Sequence, residues 1–110
     1  DVSGDDMVIG SNQASAIALV VNELVTNALE HAFAGRSSGR ISISLAAGGL
    51  FHIVTVADDG VGMKPGQLPG ERLGLRLVES TVRGKLQGKL RIHSDEGGTR
   101  ISFDIKNETT

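Results

Sequence analysis

Between Asp58 and Gly74 the chain carries five glycines (Gly60, Gly62, Gly66, Gly70 and Gly74) and both of its prolines, Pro65 and Pro69. Neither a helical nor a strand period survives such a stretch, because Gly loses the most backbone entropy on ordering and Pro lacks the amide proton a ladder needs. The segment is predicted to be a long functional loop. It separates an earlier from a later half of the 110 residues, and both halves have to meet in one core, since a chain of this length has room for a single domain.

In the earlier half, residues 7–9 are expected to form a short strand closed by Gly10. Ser11 then offers an N-cap oxygen for a helix over residues 12–34, ended by Gly35. On a 3.6-residue wheel Ile17, Val20, Val21, Leu24, Val25, Ala28 and Ala32 share one side, while Asn22, Glu23, Asn27, Glu30 and His31 crowd the other. Over residues 40–45, Ile41, Ile43 and Leu45 alternate with Ser42 and Ser44. A turn at 46–49 leads into a second strand, 50–57.

In the later half, residues 75–84 carry Leu77, Val78 and Val82 for a second core helix. Residues 89–94 and 100–105 form a hairpin around Asp95, Glu96, Gly97 and Gly98, with Thr99, Ile101, Phe103 and Ile105 alternating against Arg100, Ser102 and Asp104. Strands polar on one face and helices apolar on one stripe predict the α+β class. The expected architecture is a two-layer α/β sandwich, a mixed and mainly antiparallel sheet with helices on one face.

Composition narrows the function. Phe33, Phe51 and Phe103 are the only aromatics, so the core is aliphatic and no platform exists for stacking bases. A formal net charge of -2 supplies no basic field, which argues against nucleic acid as a partner. Without Cys there is neither a disulfide framework nor thiolate chemistry, in keeping with a reducing cytosol. The polar start, residues 1–6, lacks the n- and h-regions of a signal peptide, and no apolar run approaches the roughly 18 residues of a membrane span. The expectation is a cytoplasmic domain without direct membrane contact, excised from a longer chain.

Four constellations carry chemistry. Glu23, Asn27 and His31 recur every four residues and so line one helix face. An amide such as Asn27 can give its oxygen to Mg²⁺, which takes oxygen ligands while keeping waters and phosphates, and Glu23 can accept a proton or orient a nucleophile nearby. Asp58-Asp59-Gly60-Val61-Gly62 stands where an apolar strand runs out. A carboxylate accepts only, which suits the exocyclic amine of adenine, and glycines let backbone approach a flat base. Gly74-Leu75-Arg76-Leu77-Val78 leads into a helix N-terminus, whose free N–H groups favour phosphate oxygens. Gly97-Gly98-Thr99 sets a hydroxyl at the start of a core strand, able to share adenine or a bridging water with Asp58. Taken singly these are equally a solvated helix face, an Asp-Gly turn, a helix start and a hairpin turn.

In this order and spacing, over nearly the whole chain, the four resemble the GHKL family of histidine kinases, DNA gyrase B subunits, mismatch-repair proteins and a heat-shock chaperone. Residues 23–31 are similar to its N box, 58–62 to its G1 box, 74–77 to its G2 box and Gly98-Thr99 to its last nucleotide motif. The wording Glu-Leu-Val-Thr-Asn-Ala-Leu-Glu-His-Ala-Phe, Asp-Asp-Gly-Val-Gly-Met, Leu-Gly-Leu-Arg-Leu-Val and Gly-Gly-Thr-Arg resembles HWE-related histidine kinases.

The resemblance implies a Bergerat-type fold, ATP and Mg²⁺ as cofactors, and an ATP-dependent protein histidine kinase. Its γ-phosphate goes to a histidine on a separate dimerisation domain and then to a response regulator. It implies that Asn27 ligates Mg²⁺, that Glu23 assists transfer, that Asp58 and Thr99 hold adenine and that His31 faces the phosphates. Gly60, Gly62 and Gly74 shape the pocket and lid, with Met63, Leu73, Leu75 and Arg76 completing the nucleotide-binding set. The sequence departs from the family at Glu30, where members often carry Lys or Arg; Arg72 and Arg76 are candidates to compensate. The lid from Met63 to Leu73 is short, with no phenylalanine-bearing F-box. His52 and His93 are expected to be structural or exposed, and no pair of histidines has zinc spacing. Two other functions fit the same motifs: an anti-sigma-factor serine kinase, and a nucleotide-binding or interaction module that has lost catalysis.

Overall fold

The computed structural model describes residues 2–4, 11–29, 39–60, 73–95 and 97–107. Five strands, β1 (Val2–Gly4), β2 (Ile41–Ala46), β3 (Phe51–Asp58), β4 (Leu90–Asp95) and β5 (Gly98–Lys106), form one sheet in the order β1-β2-β3-β5-β4. Two helices, α1 (Ser11–Asn27) and α2 (Leu73–Gly84), pack on each other and against one face. β1 runs parallel to β2 and every other pairing is antiparallel. This is the two-layer α+β sandwich that the sequence predicts.

Strand alternation and register together sort the covered face into rows. Leu45, Val54, Phe103 and Leu90 stand abreast across four strands, and next to them Ile43, Val56, Ile101 and Ile92. Val54, Val56, Ile101 and Phe103 are buried and the flanking residues of β2 and β4 pack against them. From above, Ala16, Val20 and Leu24 of α1 and Leu75, Val78 and Val82 of α2 close the core, with Leu86 beyond α2. Burial of one such aliphatic side chain is worth about 1.5–3 kcal/mol. The row after the apolar ones is Ile41, Asp58, Thr99 and Ser94. The inner face thus ends in polar groups along one margin of the sheet.

Two hydrogen bonds fix the direction of the helices. Gln13, 2% exposed, donates from Nε2 to the Lys106 carbonyl at 2.7 Å, and Lys106 N–H donates to the Leu86 carbonyl at 2.9 Å. The start of α1 and the segment after α2 are therefore both tied to the far end of β5. From Gln13 to Asn27 the helix climbs about 21 Å at 1.5 Å per residue. From Lys106 back to Thr99 the strand covers about 23 Å at 3.3 Å per residue. The C-terminal part of α1 and the N-terminus of α2 accordingly reach the margin that holds Asp58 and Thr99. Ala28 and Leu29 continue α1 in a wider, π-type turn, a feature frequent beside functional sites.

Several expectations need correction. Leu77 is 45% exposed, because the positions of α2 that face the core are Leu75, Val78, Thr81 and Val82, and Leu77 sits a third of a turn away from them. The strands are not polar throughout on the outer face: Phe51 and Ile53 are 40% and 38% exposed. A strand apolar at nearly every position has to turn half of them outward, and the register buries His52, Val54 and Val56 instead. Ser11 is the first residue of α1 rather than its cap, and β1 lies at Val2–Gly4, where three residues offer no alternation to read. The strand expected at 7–9 and the last part of the helix expected to reach 34 lie outside the described residues. Among the described residues no helix is long and apolar enough to cross a membrane.

On the outer face Arg91 grips Asp104 through two bonds, of 2.7 and 3.0 Å. These bonds from the guanidinium hold the Asp104 carboxyl below the usual carboxylate range, against a smaller opposing effect of burial. A lowered folded-state pKa contributes stability above the unfolded value that is lost as pH falls through the folded one. Arg91 is half exposed, so water screens the pair and the contribution is about 0.2–1 kcal/mol. Denaturant unfolding of Asp104→Asn should show that deficit at pH 7, shrinking as pH is lowered below about 4.

Candidate functional site

The site is built where β3 ends and β5 begins. Strand alternation separates the two neighbouring aspartates. Asp59 turns outward, where its Oδ1 accepts the Arg40 N–H at 2.8 Å and its own N–H bonds the Arg40 carbonyl at 3.2 Å. Asp58 turns inward and half-buried. Its Oδ1 accepts two backbone donors, Gly60 N–H at 2.9 Å and Thr99 N–H at 3.3 Å. Two such bonds set the carboxylate plane. Among the described residues no bond to Oδ2 is formed, which leaves that oxygen to accept from a ligand.

Gly98 makes the juxtaposition possible. Its φ is +131°, and a Cβ there would lie 2.0 Å from the Asp58 carbonyl oxygen. No side chain tolerates either condition, so backbone contacts backbone and Thr99 arrives next to Asp58. The Thr99 hydroxyl is 3.0 Å from that of Ser94. A depression of about 370 Å³ at this corner is lined by Asp58, Gly98 and Thr99, and by Ala57, His93 and Arg100 of the outer face, so it opens across the end of the sheet.

The helices carry the other candidate residues. Glu23 and Asn27, one turn apart, are half-buried, whereas Asn22 on the same helix is exposed. The pair is therefore not part of an ordinary solvated face. The Asn27 Nδ2 is buried and has no hydrogen-bond partner among the described residues. His52 Nε2 is likewise buried without a partner among the described residues, and leaving such a group unmet costs about 1–3 kcal/mol. At the start of α2, Leu73 and Gly74 form the first turn. Leu75 is buried in the core, which leaves its side chain no route to a ligand, and Arg76 is exposed. Of the predicted set, Glu23, Asn27, Asp58, Gly60, Leu73, Gly74, Leu75, Arg76 and Thr99 are described; His31, Gly62 and Met63 lie outside the described residues.

The sequence profile of the family described as histidine kinase-, DNA gyrase B-, and HSP90-like ATPase matches residues 12–109. The chain belongs to this ATPase family. Among relatives of this family member, Blue-light-activated histidine kinase 2 of Erythrobacter litoralis is 37% identical over 107 residues, covering 96% of this chain and 31% of that protein. Sensor histidine kinase PdtaS of Mycobacterium tuberculosis is 35% identical over 106 residues, covering 93% and 21%. The chain thus spans less than a third of the length of these relatives. The histidine kinase domain of the Erythrobacter litoralis EL346 blue-light activated histidine kinase superimposes with a TM-score of 0.85 at 35% identity, covering 96% of this chain and 49% of that one. Acinetobacter baumannii histidine kinase AdeS shares the fold at a TM-score of 0.78 and 18% identity. The resemblance to GHKL histidine kinases read from the four motifs is borne out.

Ser94 escaped the sequence reading. Its signal was nonetheless present, since a hairpin closing around residues 95–98 sets 94 opposite 99. The other two histidines of this ATPase-family domain have local roles. His52 is 5% exposed and its Nδ1 accepts the Gly48 N–H at 3.3 Å, while His93 is exposed beside Asp95 at 3.3 Å. Gly98→Ala should cost on the order of 1–3 kcal/mol of unfolding free energy from the forbidden φ alone, with more from the clash at Asp58. Gly97→Ala, whose Cβ meets nothing closer than the tip of Asp95 at 3.3 Å, should cost much less, and thermal melts of the two variants compare them directly.

Proposed function

We propose that this chain is the catalytic ATP-binding domain of a cytoplasmic sensor histidine kinase, which holds Mg-ATP and donates the γ-phosphate to a histidine on a separate dimerisation domain. A response regulator would take the phosphate onward. One observation carries the nucleotide reading: the carboxylate of Asp58 is fixed through Oδ1 by two backbone N–H groups, with Oδ2 unused among the described residues and Thr99 alongside. An acceptor-only oxygen selects the amine of adenine and repels the carbonyl of guanine. Family membership and the sensor histidine kinases among the relatives support phosphotransfer as the activity.

Within this reading Asp58 and Thr99 bind the base, and Gly60 and Gly62 let backbone lie close to it. Gly74, with the free N–H groups at the start of α2, meets phosphate oxygens, helped by Arg76 and His31, while Met63, Leu73 and Leu75 border the lid. The residues fit a magnesium ion: Asn27 offers one amide oxygen, and its stranded Nδ2 can donate to a phosphate or a water of the ion's shell. Mg²⁺, when bound there, supplies neutralisation of phosphate charge. Glu23, one turn away, orients the incoming acceptor or takes its proton. Positioning and charge neutralisation account for most of such a reaction, so the domain alone is expected to bind ATP with little turnover.

Calorimetric titration tests the reading. Mg-ATP should bind and Mg-GTP should not. Asp58→Asn, which replaces a charged acceptor by a weaker neutral one, should lower ATP affinity by about 10- to 100-fold. Asn27→Ala should remove most of the Mg²⁺ dependence. Equal binding of the two nucleotides would end the adenine assignment, and binding of neither would end the kinase reading.

A further inference from the structure

Thr99 is buried and paired. Register places Ser94 of β4 directly across from it, and the two hydroxyl oxygens lie 3.0 Å apart. Each hydroxyl has one proton and two lone pairs, so within the pair one donates and the other accepts. The backbone of Thr99 cannot adjust the arrangement, because its N–H is engaged by Asp58 and Gly98 before it is wedged against the Asp58 carbonyl.

The ligand decides which hydroxyl donates. On the adenine edge the exocyclic N6–H donor stands next to N1, an acceptor. Asp58 can only accept and so takes N6. The neighbouring protein group then has to give a proton towards N1, directly or through one water. Thr99 has its proton free for that purpose only when its oxygen is receiving the proton of Ser94.

We propose that Ser94 is a positioning residue for the purine: its hydroxyl donates to Thr99 Oγ1 and thereby turns the Thr99 proton towards N1. The proposal rests on the adenine reading of Asp58 and Thr99. It adds a second element of base choice, because guanine has a proton on N1, and a donor held towards a donor is repulsive. Without Ser94 the Thr99 hydroxyl rotates freely, presents a proton to adenine for part of the time and accepts from guanine for the rest.

The test is calorimetric titration of Mg-ATP and Mg-GTP into the wild type, Ser94→Ala, Ser94→Thr, Thr99→Val and the Ser94→Ala/Thr99→Val double variant, with unfolding midpoints measured on the same samples. Ser94→Ala should weaken ATP about 5-fold, the equivalent of one net hydrogen bond. Ser94→Thr should recover most of that loss, since it restores the hydroxyl. In the Thr99→Val background Ser94→Ala should change ATP affinity by less than about 2-fold, because the hydroxyl it orients is already gone. A merely structural Ser94 would cost as much with Thr99→Val as without it, and that result, or an unchanged ATP affinity in Ser94→Ala, overturns the proposal while leaving the adenine site standing. A wild type that binds neither nucleotide overturns both.

Discussion

The contact between Gly98 and the Asp58 carbonyl is the constraint on which the rest of this domain depends. It lies at the polar margin of the sheet, between β3 and β5, onto which β2 and β4 pair directly. Because a glycine with positive φ stands there, the end of β3 and the start of β5 approach within backbone contact distance. The Asp58 side chain then finds the Thr99 N–H within reach, and one carboxylate oxygen is spent on structure while the other is unused among the described residues. A single steric concession by the chain thus produces a carboxylate held by two backbone donors.

The site also depends on anchors far from it. Gln13 and Lys106 hold the beginning of α1 to the end of β5, and Leu86 holds the chain beyond α2 to the same place. Helix rise and strand rise differ about twofold. Fourteen residues of α1 therefore match seven of β5, and Asn27 is delivered to the polar margin without a direct tie there among the described residues. An arrangement pinned at the far end of β5 leaves Asn27 and Glu23 half-buried, with the Asn27 Nδ2 meeting no partner among the described residues.

Much of this was legible in the sequence, and the exceptions have physical causes. The alternation of Thr99, Ile101, Phe103 and Ile105 gave β5 its buried face correctly, because period 2 in a nine-residue strand leaves no ambiguity. The four motifs gave the family, since their order is far more specific than any one of them. Leu77 misled because a helical wheel built from apolarity alone cannot tell a core position from its exposed neighbour. Phe51 and Ile53 misled because a strand apolar on both faces does not reveal which is covered. β1 was invisible, as a three-residue strand containing a glycine exists only through its pairing with β2. Ser94 went unnoticed because its importance belongs to a pair of hydroxyls, not to a residue type.

Strand order bears on how such a domain comes into being. β5, which follows β4 in sequence, is inserted between β3 and β4, and among the described strands β4 pairs with β5 alone. While a ribosome is still making the earlier strands, the inner edge of β3 lies open, and Val54 and Val56 have no Phe103 or Ile101 to meet. Closure of the sheet is deferred until β5 has left the exit tunnel, and it requires contacts widely separated in sequence, which form slowly. The pairing of Asp58 with Thr99 is created by that same closing step, so a nascent chain has no partial version of this corner, and the candidate site arrives together with the completed sheet.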